Sequence, residues 1–480
     1  MTQVNEKILK KAVDLCRKRG VLIPTFAQMR DPSTVPAAVK TKLKKADLWD
    51  VVPENLFRIT WHNDVESGLY GAVNTLEIPK SITGIEARVV GLIGKYFPTG
   101  AHKVGAAFGC LAPRLVTGQF DPVAQKAVWP STGNYCRGGA FDSALLGCTA
   151  VAILPEGMSK ERFEWLKSIG AEVIATPGTE SNVKEIYDKC WEIKKTRKDC
   201  VIFNQFEEFG NPCWHYHVTG PAVEEAFAAL GKGLRLAGYV SATGSAGTIA
   251  AGDYLRTRHP LLKVGASEAL QCPTLLQNGW GEHRIEGIGD KHVPWVHNVR
   301  NTDMVLAVDD EACMRVLRLF NEPAGRKALA AEGTDKRTLD ALGLMGISSI
   351  GNMLAAVKLA KYYELGPKDV VFTIFTDSAD MYRSRLKELE AERGEYAQKD
   401  AWTDLERRLR GIGKDDLREL SHLDRKALHN LKYFTWVEQQ GRSSEELRKL
   451  WDPGFWEETF AQVPAWDRLI EDFNRRVQGA

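Results

Sequence analysis

From about Arg88 to Asp380, short β-branched runs alternate with helical patterns, and this alternation narrows the fold class before any residue chemistry is considered. Strand candidates are Val89 to Lys95, Lys126 to Trp129, Thr149 to Leu154, Glu172 to Ala175, Cys200 to Gln205, Gly238 to Ala242, Lys263 to Ala266 and Val370 to Ile374. Helical patterns lie between them, at Lys160 to Ile169, Val183 to Thr196, Pro221 to Ala229, Thr248 to Arg258 and Ile350 to Tyr363, several of them capped by Ser, Asn or Gly. Parallel strands with helices on both faces are the simplest α/β solution.

The ends read differently. Residues 1–50 carry a Lys-rich helical pattern broken at Asp31-Pro32-Ser33, and are expected as an appendage outside the sheet. After Tyr382 the chain turns charged and helical, yet Tyr433, Phe434, Trp436, Trp451, Phe455, Trp456, Phe460 and Trp466 are too many aromatics for a solvated tail, so the segment should pack on something. The organisation expected is an N-terminal helical extension (1–50), a core (51–385) with a smaller subdomain at roughly 103–210, and a C-terminal helical extension (386–480).

Composition excludes some classes. Sixty-four Lys and Arg against 62 Asp and Glu leave a charge of +2, so no overall field points to nucleic acid or an anionic membrane. No run approaches a membrane span, and Met1 to Arg19 has no apolar signal region, so a cytoplasmic location is expected by default. The nine cysteines include no Cys-x-x-Cys pair and are expected as reduced, buried thiols. His215 and His217 alternate, but no third ligand has a recognisable spacing, so no metal site is expected.

Three turns carry chemistry. Lys103 follows a strand and the Pro98-Thr99-Gly100 turn and opens a helix of small residues, Ala106, Ala107 and Gly109. Alone it would be a surface lysine; desolvated in that setting, its amine becomes a nucleophile toward an aldehyde. The turn Ser131-Thr132-Gly133-Asn134-Tyr135 gathers hydroxyls, an amide and helix N-terminal N–H groups, which suits a carboxylate, although a plain βα turn has the same look. Gly244-Ser245-Ala246-Gly247-Thr248 follows a strand and opens a helix, as a phosphate cradle does. It is neither a Walker A loop nor a dinucleotide fingerprint.

In one order, Lys103, the Ser131 to Tyr135 turn, Phe203-Asn204-Gln205-Phe206, Asn211-Pro212, His217-Val218-Thr219-Gly220-Pro221, the Gly244 loop, Ile285-Glu286-Gly287-Ile288-Gly289 and Gly346-Ile347-Ser348-Ser349 resemble cysteine synthase and cystathionine β-synthase. Thr99 to Lys103 is similar instead to the tryptophan synthase β subunit. The resemblance spans about residues 85–385 and implies pyridoxal phosphate (PLP) fold type II: two subdomains of twisted sheet flanked by helices, with helical extensions at both ends.

It also implies roles. Lys103 would carry PLP as a Schiff base and act as base at the substrate α-carbon, and Asn134 would meet the ring hydroxyl. Gly244, Ser245, Ala246, Gly247 and Thr248 would cradle the phosphate, with His102 touching it by analogy with tryptophan synthase. Ser131, Thr132, Gly133 and Tyr135, with Gln205, would hold the substrate carboxylate. Ser348, or Ser349 if the register shifts by one, would face the pyridine nitrogen. A neutral hydroxyl there weakens the electron sink relative to an aspartate and favours loss of a β-substituent over transamination.

The implied enzyme is a lyase or transferase of amino-acid metabolism, working by β-elimination or β-replacement through an aminoacrylate, and homodimeric. The alternatives are a serine- or threonine-type deaminating dehydratase, the PLP-bearing subunit of a heteromeric enzyme such as an amino-ketopentanoate thiolase, or a non-catalytic PLP-binding scaffold. Tyr135 and Cys136 replace small residues of the resembled turn. Arg137 reads as an outward-facing helical arginine, or else as a partner for an acidic side chain. Asn321 to Leu344 reads as an insertion.

Overall fold

The computed structural model describes residues 4–131, 133–179, 182–288 and 291–479. A hairpin, β1 (Asn63–Asp64) and β2 (Leu69–Tyr70), precedes β3 (Thr75–Ile78) and β4 (Arg88–Ile93). The next four strands, β5 (Lys126–Pro130), β6 (Ala150–Pro155), β7 (Glu172–Thr176) and β8 (Cys200–Ile202), form an all-parallel sheet in the order β7-β6-β5-β8. A second sheet of seven strands takes β9 (Arg235–Ala242), β10 (Lys263–Ala269), β11 (Met304–Val308), β12 (Asp369–Phe375) and β13 (Leu417–Glu419), with β3 and β4. Its order is β13-β11-β10-β9-β12-β4-β3, antiparallel only where β13 and β3 close the two edges.

All the strands expected from the sequence form. Their β-branched runs are buried on both faces, as in Val89 to Ile93 and Val370 to Phe375, because helices cover the sheets. Helices Asn134–Leu146 and Ile347–Tyr362 are buried nearly all round and lie inside. No single helix among the described residues is long and apolar enough to cross a membrane.

The N-terminal segment is no loose appendage, and the C-terminal aromatics pack as their number led us to expect. Leu9, Ala12, Cys16, Phe26 and Met29 join one hydrophobic cluster with Phe108 and Leu111 of the core and with Trp436, Trp456, Phe460 and Phe473 near the C-terminus. The C-terminal segment is not wholly helical either, since β13 extends the large sheet beside β11. Its aromatics pack on this same chain: the Trp436 indole donates to the Val293 carbonyl at 2.9 Å, and the buried Lys432 amine donates to the carbonyls of Trp295 and His297 at 2.9 and 2.7 Å. The Asn321 to Leu344 stretch folds as helices Pro323–Ala331 and Lys336–Ala341.

One buried group works against this core. Asp142, in helix Asn134–Leu146, is fully buried, and neither carboxyl oxygen has a hydrogen-bond partner among the described residues. Burial pushes its carboxyl well above the ordinary carboxylate range. The folded pKa therefore lies above the unfolded one, so folding takes up a proton and stability falls as pH rises from the unfolded pKa toward the folded one. Asp142→Leu is expected to raise stability by about 1–3 kcal/mol, the cost of an unsatisfied buried polar group. Urea unfolding should show a larger gain at pH 8 than at pH 5, and an equal gain at both would contradict the assignment.

Candidate active site

Parallel strands deliver their following loops to one end of a sheet, and the two sheets point those ends at each other. The loop after β5 brings Ser131, the chain beyond β8 brings Gln205, the loop after β9 brings Gly244 and Ser245, and the loop after β12 brings Thr376 and Asp377. Lys103 lies beyond β4 as the first residue of helix Lys103–Val116.

There the Lys103 amine donates to Gln205 Oε1 at 3.2 Å and to Ser245 Oγ at 3.5 Å. Gln205 in turn donates to Ser131 Oγ at 3.2 Å. A narrow cavity of about 10 Å³ is lined by Lys103, Ser131, Asn134, Tyr135, Gln205 and Phe206 on one side and by Gly244, Ser245, Gly287 and Ile288 on the other. All three turns read from the sequence therefore reach one place, while Thr132 and Gly289 lie outside the described residues.

The glycine loop is shaped to surround something. Ala246 holds a left-handed conformation at φ 60°, and among the described residues the N–H groups of Gly244, Ser245 and Ala246 meet no protein acceptor. Asn211 braces the loop from behind, donating to Ser245 Oγ at 3.0 Å and to the Gln205 carbonyl at 2.9 Å. A Cβ on Gly247 would fall 2.0 Å from Asn211 Oδ1, so only glycine fits there.

The two serines after Gly346 separate clearly. Ser349 Oγ donates to the Asp377 carbonyl at 3.2 Å. Ser348 Oγ is buried with no partner among the described residues, and it faces Gly287 of the cavity wall, 3.7 Å from where a Cβ on that glycine would lie. Asn134 is held at both ends of its amide: Nδ2 donates to Asp377 Oδ2 at 2.7 Å, and Oδ1 accepts from Arg137 at 3.3 Å.

One expectation changes. Arg137 does not face outward: it is 3 % exposed, donates to the Thr99 carbonyl at 2.6 Å and stacks over Trp165 at 4.7 Å. Burial, reinforced by the neighbouring Arg162 charge, lowers its pKa to about 10. His102, next to Lys103, stacks on Trp61 at 5.6 Å and meets His215 edge-on at 5.4 Å. Burial, then the Lys103 charge, hold its pKa down at about 3, so the ring is neutral, and neither ring nitrogen has a hydrogen-bond partner among the described residues. The Tyr135 phenol, buried beside Cys110, is pushed well above its usual range and stays protonated.

Sequence reasoning passed over Arg162, Asp377 and Tyr382. Arg162 is fully buried beside Gly133 and pairs with Glu286; its Nη2 donates to the Tyr382 hydroxyl at 3.0 Å, and that hydroxyl donates to Asp377 at 2.8 Å. Nothing in the local pattern Ser159-Lys160-Glu161-Arg162 distinguishes this arginine from an exposed one.

Comparison with known proteins identifies the class of chain that carries this arrangement. The family model described as "Pyridoxal-phosphate dependent enzyme" matches residues 95–377, and the chain belongs to that family. It is similar to a cysteine synthase of Staphylococcus aureus, 30% identical over 60% of this chain and 84% of the relative, and to a probable cysteine synthase of Bacillus subtilis, 29% identical over 60% and 85%. Among solved structures, a cysteine synthase of Entamoeba histolytica superposes with a TM-score of 0.57 at 20% identity, over 69% of this chain and 92% of that one, a likeness of fold. The chain is thus a fold type II, PLP-dependent enzyme of the β-elimination and β-replacement group, acting on an amino acid.

Gly133 has a structural test of its own. A Cβ there would lie 2.3 Å from Arg162 Nε, and the backbone stands at φ 155°. Gly133→Ala is expected to destabilise the protein by about 1–3 kcal/mol through overpacking of a side chain that cannot leave. Thermal unfolding checks it; an unchanged midpoint would show that Arg162 yields freely.

Proposed function

We propose that the chain makes or breaks the β-bond of a serine- or cysteine-like amino acid, with Lys103 as the lysine that carries PLP. The observation that carries the reading is the position of the Lys103 amine, within hydrogen-bond reach of both the substrate-side turn, through Gln205, and the glycine loop, through Ser245. Helix dipole and unengaged N–H groups at Gly244 to Thr248 suit a phosphate, and the unpartnered Ser348 hydroxyl suits a ring nitrogen.

When bound, PLP supplies the electron sink that lets the α-carbon of an amino acid give up a proton. The protein supplies the rest. Ser131, Gly133, Tyr135 and Gln205, with Thr132, hold the substrate carboxylate and so fix which bond at the α-carbon faces the lysine. Asn134, whose amide nitrogen gives one N–H to Asp377, would have the other for the ring hydroxyl. Freed from the cofactor, the Lys103 amine takes the α-proton, and its ammonium form stands ready to return a proton. Ser348 offers a neutral hydroxyl, which leaves the ring nitrogen without a formal counter-charge and so disfavours transamination.

The substrate we infer is serine, cysteine or an activated serine ester, with a thiol or sulfide as the replacing nucleophile. Similarity to the two cysteine synthases supports it. A cytoplasmic homodimer is the assembly proposed, in keeping with nine free cysteines, of which only Cys200 is even partly exposed.

Borohydride reduction of the yellow holoenzyme should label Lys103, and Lys103→Ala should lose both the label and the absorbance near 410–430 nm; about that range is usual for lysine-bound PLP. Labelling of another lysine would refute the site. Ser348→Asp should keep the cofactor but cut β-replacement at least tenfold, with pyridoxamine phosphate accumulating, whereas a large effect confined to Ser349→Asp would move the ring nitrogen by one residue.

A further inference from the structure

We infer that Arg162 is a positioning residue: it latches the wall that carries Asn134 to the opposite wall of the cavity, and thereby sets the grip on the amino-acid substrate. The inference rests on the site proposed above and names a residue that touches neither substrate nor cofactor.

The cavity lies between two bodies of chain. Ser131, Asn134 and Tyr135 belong to the unit built on the four-stranded sheet, whereas Gly287, Ile288 and Asp377 belong to the unit built on the seven-stranded sheet. Arg162 starts on the first unit, in helix Lys160–Ser168, and its guanidinium ends among groups of the second. It pairs with Glu286, lies 3.6 Å from Asp377 Oδ2 and donates to the Tyr382 hydroxyl at 3.0 Å.

Each of these partners is one step from the cavity. Glu286 immediately precedes Gly287, and Asp377 Oδ2 also accepts the Asn134 amide at 2.7 Å. On its own side Arg162 fills the space beside Gly133, where a Cβ would lie 2.3 Å from Nε. Moving this guanidinium therefore displaces the substrate turn, the Asn134 amide and the Glu286–Gly287 segment together.

Neighbouring contacts run the same way. Arg385 of the second unit donates to Glu286 at 2.8 Å and to the Gly157 carbonyl of the first, and Ser384 donates to Glu161 by backbone at 2.9 Å and by hydroxyl at 2.7 Å. The Arg162 side chain is 0 % exposed, as is that of Asp377, with Glu286 at 3 %, so water cannot replace the guanidinium. A guanidinium and two carboxylates this far from solvent hold position only as a set: removing one leaves the others uncompensated.

The test uses the cofactor-loaded full chain and compares Arg162→Met, Arg162→Lys and Glu286→Gln with the unmodified enzyme. Hydrogen exchange without substrate should rise at least tenfold in the segment 133–146 for Arg162→Met. Steady-state kinetics should show KM for the amino acid raised tenfold or more with kcat within about threefold, while the cofactor absorbance stays unchanged. Arg162→Lys, which keeps the charge but reaches one carboxylate, should recover part of the KM.

If Arg162→Met does not fold, Glu286→Gln alone must raise exchange in 133–146 at least threefold, and failure to do so overturns the proposal. Unchanged exchange, or a fall in kcat with KM constant, overturns it as well. Borohydride labelling away from Lys103 would instead sink the site assignment, which exchange measured without substrate does not depend on.

Discussion

A guanidinium taken out of water must be met by acceptors in fixed places, and in this protein that requirement bears on how the two sheets face each other. Arg162 finds Glu286 and Asp377 across the cleft, and Arg137 finds the Asn134 amide and the Thr99 carbonyl. Apolar packing alone would hold the units together with less directional control, whereas these hydrogen-bonded ions admit few relative placements. The cavity inherits its geometry from that restriction.

How much of this could be read from the chain follows from the range of the interactions concerned. Strands such as Val89 to Ile93 and the glycine loop after β9 are local facts of periodicity and turn chemistry, so residue order reveals them. Lys103 was legible because its turn and its small-residue helix are contiguous. The edge strand β13 was not, because Leu417 to Glu419 is a short polar run that becomes a strand only by lying against β11. Ser348 and Ser349 are one residue apart and point in different directions on a helix, so three dimensions were needed to separate them. Arg137 and Arg162 were misread or passed over for one reason: burial of a charge depends on partners as far as 220 residues away in the chain, as with Arg162 and Tyr382.

The terminal segments show the same limit in apolar form. Their aromatic content announced that they must pack, and the structure shows where: against helix Lys103–Val116, against each other and around the loop from Val293 to His297. That loop follows the Glu286–Ile288 wall of the cavity in sequence. Lys432, fully buried and donating to two carbonyls, pins its far end, and desolvation lowers that amine to a pKa of about 7. The C-terminal segment thus supports one wall of the site from a distance.

A joint made of ions and hydroxyls has a further property. If the two units drift apart, the faces they uncover beside Arg162, Glu286, Asp377 and Ser384 are hydrophilic, and water wets them at once. An oily joint in the same place would present sticky surface each time it parted and would invite self-association between molecules. This seam can breathe in a crowded solution without becoming a seed for clumping.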